Sequence, residues 1–450
     1  QSINTWQNYQ FRDSSSIPQG QVRTMRWLYG DIDYVEQSGA TTTRYFNEIL
    51  VGTRRAGMAR CQHDKMSFNS QGIATKLDCD QYNTNNYVDF PDNSVNDFEM
   101  DPFGRLWVAT GIAGVTSAGY GGIGVAIYDA SADTWDWDWT QGANSSRLPY
   151  RGGQQEVLPY NYVNGLTFAE NGFMWAGFSG WNKTAYEQGT LPEHVAFTEV
   201  GFDLTNSFWR FGNHNNNSYA QPKCNVTDIH FSRASSTNTN KSIYFTTECT
   251  GWSNFVTPNY PNNGYDIKYG KLWNITHTGG ASYETATRSL QFGPDAETDL
   301  RGFSELNGLL FFAPRHQTDP GGLGVFALSN PNDSNTLVQA VPSEDLLNAN
   351  DIRTLNILQD VDGTEIMLIG AEDPRKPFLT TFNGTNFNDV NTLLNSNGGE
   401  TRVSASLVDA TLDGSTGTRW WLGKGVNADG TSDASANQLR CKNAGETGWT

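Results

Sequence analysis

Leu106-Trp-Val-Ala-Thr110 is the stretch on which the fold turns: an apolar strand closing on a small residue, Ala109. The same arrangement returns as Ile49-Leu-Val-Gly-Thr53, Met174-Trp-Ala-Gly-Phe178, Ile243-Tyr-Phe-Thr-Thr247, Leu310-Phe-Phe-Ala-Pro314, Met367-Leu-Ile-Gly-Ala371 and Trp420-Trp-Leu-Gly-Lys424. The small residue falls at 52, 109, 177, 246, 313, 370 and 423. A repeat of this period has to be read before any count of domains from length.

Working outward, each of these strands has a partner before it. The partners read Val22-Arg-Thr-Met25, Val95-Asn-Asp-Phe98, Val163-Asn-Gly-Leu166, Val226-Thr-Asp-Ile229, Leu300-Arg-Gly-Phe303, Ile352-Arg-Thr-Leu355 and Val403-Ser-Ala-Ser406. The turns between them carry Asp or Asn with Gly, as in Asp101-Pro-Phe-Gly104, Asn171-Gly172 and Asp362-Gly363, which is tight-hairpin chemistry. Third strands follow, such as Gly57-Met-Ala-Arg-Cys61, Gly124-Val-Ala-Ile-Tyr128 and Val200-Gly-Phe-Asp-Leu204. A fourth, often Trp-bearing, strand completes the unit, as in Thr134-Trp-Asp-Trp-Asp-Trp139 and Ser207-Phe-Trp-Arg-Phe211. Seven units of four antiparallel strands predict an all-β fold, a single seven-bladed β-propeller over residues 1–450. The blades span about 22–80, 95–140, 163–212, 226–290, 300–340, 352–392 and 403–450, the last joined by residues 1–10. Ile3 to Tyr9 reads as the outer strand that closes the ring and covers an open edge.

The closest matches, Leu106-Trp-Val-Ala-Thr110 and Ile49-Leu-Val-Gly-Thr53, resemble the two-component-regulator type of propeller repeat, and the resemblance runs along nearly the whole chain. In size and plan the chain also resembles secreted propeller polysaccharide lyases of the uronate or rhamnosyl-glucuronate type. That resemblance implies a scaffold and an activity class, with no catalytic position carried over. No segment remains for a kinase or a DNA-binding module.

Composition narrows the class. The 450 residues include 48 acidic and 30 basic ones, a net charge of −18, which argues against a nucleic-acid binder. No apolar run approaches the length of a membrane span. The chain starts at Gln1 without Met or a hydrophobic leader, which reads as a mature secreted protein or one trimmed that way. Sequons begin at Asn144, Asn182, Asn216, Asn225, Asn240, Asn274, Asn332 and Asn383, and chance supplies several of them in so Asn-rich a chain. Of five Cys, Cys224 and Cys249 flank one predicted hairpin and are expected to pair; Cys61 and Cys79 make a second pair, and Cys441 is left over. Metal and nucleotide motifs are missing, so no cofactor is expected, with a structural calcium left open.

In a propeller the loops after second and fourth strands share one face, around the mouth of the central channel. These loops are long here, and long loops on a rigid scaffold carry function. His194, His214 and His316 fall on that face, whereas His63 and His277 end third strands on the other, and His230 reads as a satisfied core residue. His316 follows Arg315 just after a second strand, beside the channel, and is the preferred acid/base, with Tyr160, Tyr162 and His214 behind it. One repeat slot near the mouth holds Arg23, Asn96, Asn164, Thr227, Arg301, Arg353 and Ser404. Its arginines suit a carboxylate, or else pair with Asp97, Asp228 or Asp351 within the ring. Trp181 and Trp252 stand among aromatics that either stack on sugar or pin the loops.

These readings favour a secreted carbohydrate-active enzyme, a monomer acting on an acidic poly- or oligosaccharide. The leading chemistry is β-elimination, with Arg301, Arg315 and Arg353 neutralising a uronate carboxylate. A glycoside hydrolase on the same face is the rival and wants two carboxylates, for which Glu156, Glu187, Glu193 and Glu248 are candidates. A non-catalytic carbohydrate-binding or structural propeller is the third class.

Overall fold

The computed structural model describes residues 7–10, 21–36, 38–62, 65, 67–68, 74–76, 79–112, 121–137, 147–148, 162–169, 172–179, 195–201, 225–232, 241–248, 271–277, 287–291, 298–306, 309–316, 324–329, 337–342, 352–359, 365–371, 377–382, 387–392, 405–412, 419–425 and 438–442. Among these, the elements are strands, all paired antiparallel.

β1 (Gln7–Gln10) belongs with the last sheet. The first sheet runs β2 (Gln21–Val35), β3 (Thr41–Arg54), β4 (Met58–Gln62) and β7 (Cys79–Tyr82), with a small hairpin of β5 (Ser67–Phe68) and β6 (Ala74–Lys76) before its fourth strand. The second runs β8 (Val95–Met100), β9 (Leu106–Thr110), β10 (Gly122–Asp129) and β11 (Thr134–Asp136), with β12 (Arg147–Leu148) also on β10. The third holds β13 (Tyr162–Ala169), β14 (Phe173–Ser179) and β15 (Val195–Glu199). The fourth holds β16 (Asn225–Ser232), β17 (Lys241–Glu248), β18 (Lys271–His277) and β19 (Thr287–Gln291). The fifth holds β20 (Thr298–Leu306), β21 (Leu309–His316), β22 (Val325–Leu328) and β23 (Leu337–Val341). The sixth holds β24 (Ile352–Gln359), β25 (Glu365–Ala371), β26 (Pro377–Phe382) and β27 (Phe387–Thr392). The seventh holds β28 (Ala405–Leu412), β29 (Arg419–Gly425), β30 (Gln438–Lys442) and β1, with Gln7 opposite Cys441 and Gln10 opposite Gln438.

This is a β-propeller architecture. The first strand of each sheet packs against the first strand of the next, and β28 packs against β2. The core is correspondingly a row of slabs between sheets. Leu50, Phe46 and Met58 of the first sheet meet Phe98, Val108 and Trp135 of the second. Trp107 and Ile123 meet Leu166 and Met174 of the third, and Trp175 and Phe197 meet Val226 and Phe245 of the fourth. A second strand such as β9, buried along its whole length, is covered on both faces, so it reads as a continuous apolar run.

Packing also explains the small residue of the repeat. A Cβ added at Gly52 would lie 2.7 Å from Cγ1 of Val95, and one at Gly177 2.5 Å from Cγ1 of Val226. At these two positions the small residue therefore seats the leading Val of the next sheet's first strand. There, the two signatures of the repeat are the two halves of one contact.

Polar locks complement these slabs. Arg60, fully buried on β4, donates from Nε to Glu48 Oε2 at 2.7 Å and from Nη2 to Asp133 Oδ1 at 3.0 Å. Trp135 Nε1 donates to the other Glu48 oxygen at 3.2 Å. Burial works against the Arg60 charge, but Glu48 outweighs it and holds the guanidinium protonated. Asp133, in the turn before β11, also accepts from Gln62, Lys65 and Tyr128 and pairs with Arg44, so one carboxylate ties the first sheet to the second. In the turn before β9, Asp101 accepts from Arg105 Nε at 2.5 Å and from Trp107 Nε1 at 2.9 Å. The expected Cys61–Cys79 disulfide is present, joining β4 to β7 at directly opposed positions. Closing a loop of its 18-residue separation adds on the order of 3 kcal/mol in the chain-entropy view.

Four details differ from the sequence reading. The third strand of the third sheet is Val195–Glu199 instead of starting at Val200; Val195, Ala196, Phe197 and Thr198 are buried, and Phe197 stacks on Trp175 with centroids 4.7 Å apart. The glycine at 201 imitated the start of other third strands in sequence, but its carbonyl instead accepts Arg105 Nη2 at 2.7 Å. The first hairpin is far longer than its repeat core: β2 and β3 stay paired from Gln21↔Arg54 to Val35↔Thr41, and Val35 N–H donates to Phe103 O across the turn of the second sheet. β28 starts at Ala405, which leaves Ser404 outside the described residues. His316 and Arg315 are paired members of β21 instead of following it. The fourth strand expected over 207–211 lies outside the described residues.

Candidate functional site

The start of each first strand meets the end of its second strand at one end of every sheet. There the sheets share a feature the sequence did not show. In all seven, the first strand carries a register shift, a bulge, that leaves one residue between paired neighbours. The residues skipped are Arg23, Asn96, Asn164, Thr227, Gly302, Arg353 and Val408. Five of these are the predicted polar slot. In the fifth sheet Arg301 stays in register opposite Ala313 and the bulge falls at Gly302; in the seventh it falls at Val408, and Ser404 lies outside the described residues. A bulge twists its strand and re-aims one side chain.

What the re-aimed side chains do differs by sheet. Asn96 Nδ2 donates to Gly111 O at 3.0 Å and to Val163 O of the next sheet at 2.8 Å. Asn164 repeats this, donating to Ser179 Oγ at 2.6 Å and Val226 O at 2.5 Å. Thr227 Oγ1 bonds Thr246 Oγ1 at 2.8 Å. The amide hydrogens of the two candidate asparagines thus join neighbouring sheets. The following acid adds a second stitch. Asp97 accepts Phe98 N–H and, in the third sheet, Leu166 N–H, both at 2.8 Å; Asp228 accepts Ile229 N–H at 2.8 Å and Phe303 N–H of the fifth at 3.3 Å. Burial pushes the Asp97 carboxyl well above the ordinary carboxylate range, and the charges of Glu99 and Asp228 push the same way. Among the described contacts, the oxygens of both acids meet backbone N–H groups, while the side chains of Arg301 and Arg353, like Asp351, lie outside the described residues.

Arg23, the slot residue of the first sheet, belongs to a basic group. Arg54 ends β3 opposite Gln21, and Arg55 follows in a tight turn. Burial holds the Arg54 guanidinium below its ordinary range, and the nearby charges of Arg23 and Arg55 lower it further, while Tyr162 at the start of β13 acts the other way. The fifth sheet places arginine equivalently. Arg315 lies opposite Asp299, one step outside the Leu300↔Pro314 pair, just as Arg54 lies one step outside Val22↔Thr53. His316, opposite Thr298, is the counterpart of Arg55. Sequence reasoning selected Arg315 and His316 but passed over Arg54 and Arg55; the signal was available, because they occupy the same two positions after the small residue of the repeat.

Farther along the first strands lies a second row of pairs between sheets. Arg26 Nη2 meets Glu99 Oε1 at 2.7 Å, and His230 Nε2 meets Glu305 Oε2 at 3.0 Å. Ser232 Oγ donates to the other Glu305 oxygen at 3.0 Å. His230 is satisfied as expected, but its side chain is 38% exposed and so is not a core residue.

Of the remaining candidates, Tyr160, Trp181, His194, His214, Trp252, Cys224, Cys249 and the sequons at Asn144, Asn182, Asn216, Asn240, Asn332 and Asn383 lie outside the described residues, as do His63, Glu156, Glu187 and Glu193. Asn225 starts β16 and Asn274 lies within β18, between Tyr244 and Thr287 in register. Among the described residues, no group of three or more His, Cys, Asp or Glu is placed to hold a metal ion.

With this geometry in view, the chain can be set beside known proteins. A family model described as two component regulator propeller matches residues 89–111, which include β8 and β9. No curated protein matches the chain. Among solved structures it is similar to the Swd1 β-propeller domain of Myceliophteria thermophila, with 8% identity, 97% of this chain and 99% of that one covered, and a TM-score of 0.46. A protein of unknown function from Dyadobacter fermentans gives 9% identity, 98% and 99% coverage, and a TM-score of 0.42. An exo-β-1,3-galactanase from Clostridium thermocellum gives 12% identity over 66% of this chain, with a TM-score of 0.33; the chain spans 61% of the galactanase's length. At these values the similarities carry no argument about activity.

Proposed function

We propose that the protein is a secreted, carbohydrate-active propeller whose seven sheets are the blades of one ring, closed by β1 on the last blade, and that it acts on acidic saccharides at the ring's mouth. The observation that carries this reading is the basic end of the first-strand hairpins. Arg54 and Arg315 hold equivalent positions in the first and fifth sheets, Arg23 and Arg353 hold the bulge slot in the first and sixth, and Arg301 lies two residues beyond Asp299, the partner of Arg315. In a chain of net charge −18, such a concentration of arginine suits an anionic ligand.

The reaction that uses this chemistry is β-elimination on a uronate. Guanidinium groups of Arg301, Arg315 and Arg353 neutralise the carboxylate and acidify the C5–H bond. His316, or Tyr162, takes the C5 proton; the C4=C5 bond forms as the C4–O bond breaks, and the leaving oxygen takes a proton from an acid on the same face.

The test is incubation with a panel of uronate-containing polysaccharides, following ultraviolet absorbance of an unsaturated uronate and, separately, new reducing ends. Growth of the absorbance is expected. Folded His316→Ala is expected to lose about 10²–10⁴ in rate, and Arg353→Ala to lose turnover on acidic substrates specifically. Reducing ends without absorbance would replace the lyase by a hydrolase, and neither signal would leave a binding protein.

A further inference from the structure

We propose that Arg23, Arg54 and Arg55 form a preformed site for an oxyanionic group, the carboxylate or sulfate ester of an acidic saccharide, at the end of the first sheet and separate from the His316 end of the fifth. The site rests on the preceding reading only in taking the ligand to be a saccharide.

Several described arginines contrast with Arg23 and Arg55. Arg26, Arg44, Arg60 and Arg105 each meet a carboxylate within 4.0 Å: Glu99, Asp133, Glu48 and Asp101 respectively. Arg23 and Arg55 meet no carboxylate among the described residues. They lie close enough to Arg54 that like charges press on it, in a protein with 48 acidic residues available to relieve them. Neighbouring cations store repulsion that a bound anion would remove, and here two of the three, Arg23 and Arg55, meet no carboxylate among the described residues.

Backbone geometry holds the group in place. Thr53 N–H and Oγ both donate to Gly57 O, at 3.0 and 2.7 Å, closing the turn that carries Arg54 and Arg55. Gly57 N–H donates to Asn93 O at 2.8 Å and Arg55 N–H to Ser94 Oγ at 3.2 Å, so the turn is pinned to the strand entering the second sheet. Arg55 itself sits at φ 76°, the left-handed region that a branched or long side chain adopts at a cost in energy. Strain of this kind persists where the surroundings over-determine it, and it collects at ligand-binding positions. Arg23 reaches the same place through the bulge between Val22 and Thr24. Tyr162, half-buried at the start of β13, acts the other way on Arg54 and favours its charge.

The experiment titrates sodium glucuronate and sodium sulfate into the full chain, with glucose and ionic-strength-matched sodium chloride as controls. Affinity is read by calorimetry and the thermal midpoint is read in parallel. Wild type is expected to bind at least one anion and not glucose. The sugar acid over sulfate would identify a carboxylate, and the reverse a sulfate ester. Arg54→Gln and Arg55→Gly are each expected to weaken that binding about tenfold or more. Arg55→Gly is also expected to keep or raise the anion-free midpoint, because glycine adopts this φ without strain. Wild-type affinity in both variants, no anion binding at all, or a lowered anion-free midpoint in Arg55→Gly would overturn the site. Its failure stands apart from failure of the functional reading. Probe binding lost in the variants without turnover of any polysaccharide sinks the lyase alone; turnover with unaltered binding in the variants sinks this site alone.

Discussion

Arg60 on β4 and Arg55 in the turn before it are five residues apart and use the same charge in opposite ways. Arg60 is wholly buried, holds Glu48 and Asp133, and ties two sheets together. Arg55 is exposed, strained at φ 76°, beside two more arginines and pinned by its backbone alone. A buried guanidinium has to be paired where it lies, because an isolated charge in the interior is too costly. One at the rim keeps part of its hydration and can wait for a ligand. The bulge slot gives the same lesson: Asn96 and Asn164 hold the next sheet, whereas Arg23 in the equivalent position holds nothing of the kind among the described residues.

The comparison is most exposed at Glu48. Glu48→Ala leaves Arg60 buried with its closest charge partner gone and is expected to cost about 3–5 kcal/mol, measured as the loss in unfolding free energy by denaturant titration. A loss under about 1 kcal/mol would mean that Asp133 alone carries Arg60, and the contrast between the two arginines would weaken.

A smaller effect separates the slot residues. Asn164→Ala strips the donors from Ser179 Oγ and Val226 O and is expected to cost about 1–3 kcal/mol. Arg23→Ala, in the same slot of the first sheet, should stay within about 0.5 kcal/mol of wild type. Equal losses in the two variants would make Arg23 a structural residue too.

The smallest effect is in the pH profile. Burial raises the Asp133 carboxyl, but hydrogen bonds from Arg60 and Gln62 and the Arg60 charge outweigh it and hold the group well below the ordinary range. A carboxyl depressed in the folded state contributes stability above its unfolded value of about 3.9 and loses it as pH falls through the folded value. Wild type should therefore weaken below about pH 4 more steeply than Asp133→Asn, whose midpoint is lower at neutral pH and flatter in acid. Because the Asp133 side chain is 40% exposed, the difference should be modest and shrink in high salt. Parallel acid limbs in the two proteins would remove Asp133 from the lock.

Much of the strand layout was legible because its signals are local. Apolar second strands such as β9 and β14 are buried along their whole length, and the turns carry Asp and Gly, so both show in one sequence without an alignment. The Cys61–Cys79 pair followed from placing its two strands. The long first hairpin was not legible: its outer half is polar and alternates exposed with half-buried residues over Thr41–Tyr45, so it lacks the repeat's signature. Val200 was misread as a strand start because a following glycine, which elsewhere opens a third strand, here serves Arg105. Arg54 and Arg55 were passed over because His316 drew attention to chemistry, when the equivalence of positions was the better guide.

The sequence by itself determined an all-β chain of repeated antiparallel units and the position of the small residue in each, since those follow from periodicity and side-chain size. Only the tertiary structure decided which polar residue of a shared slot would bind the neighbouring sheet. That outcome depends on a bulge one residue wide and on which acceptor lies within about 3 Å in the adjoining sheet, and neither distance is written in the order of residues along one strand.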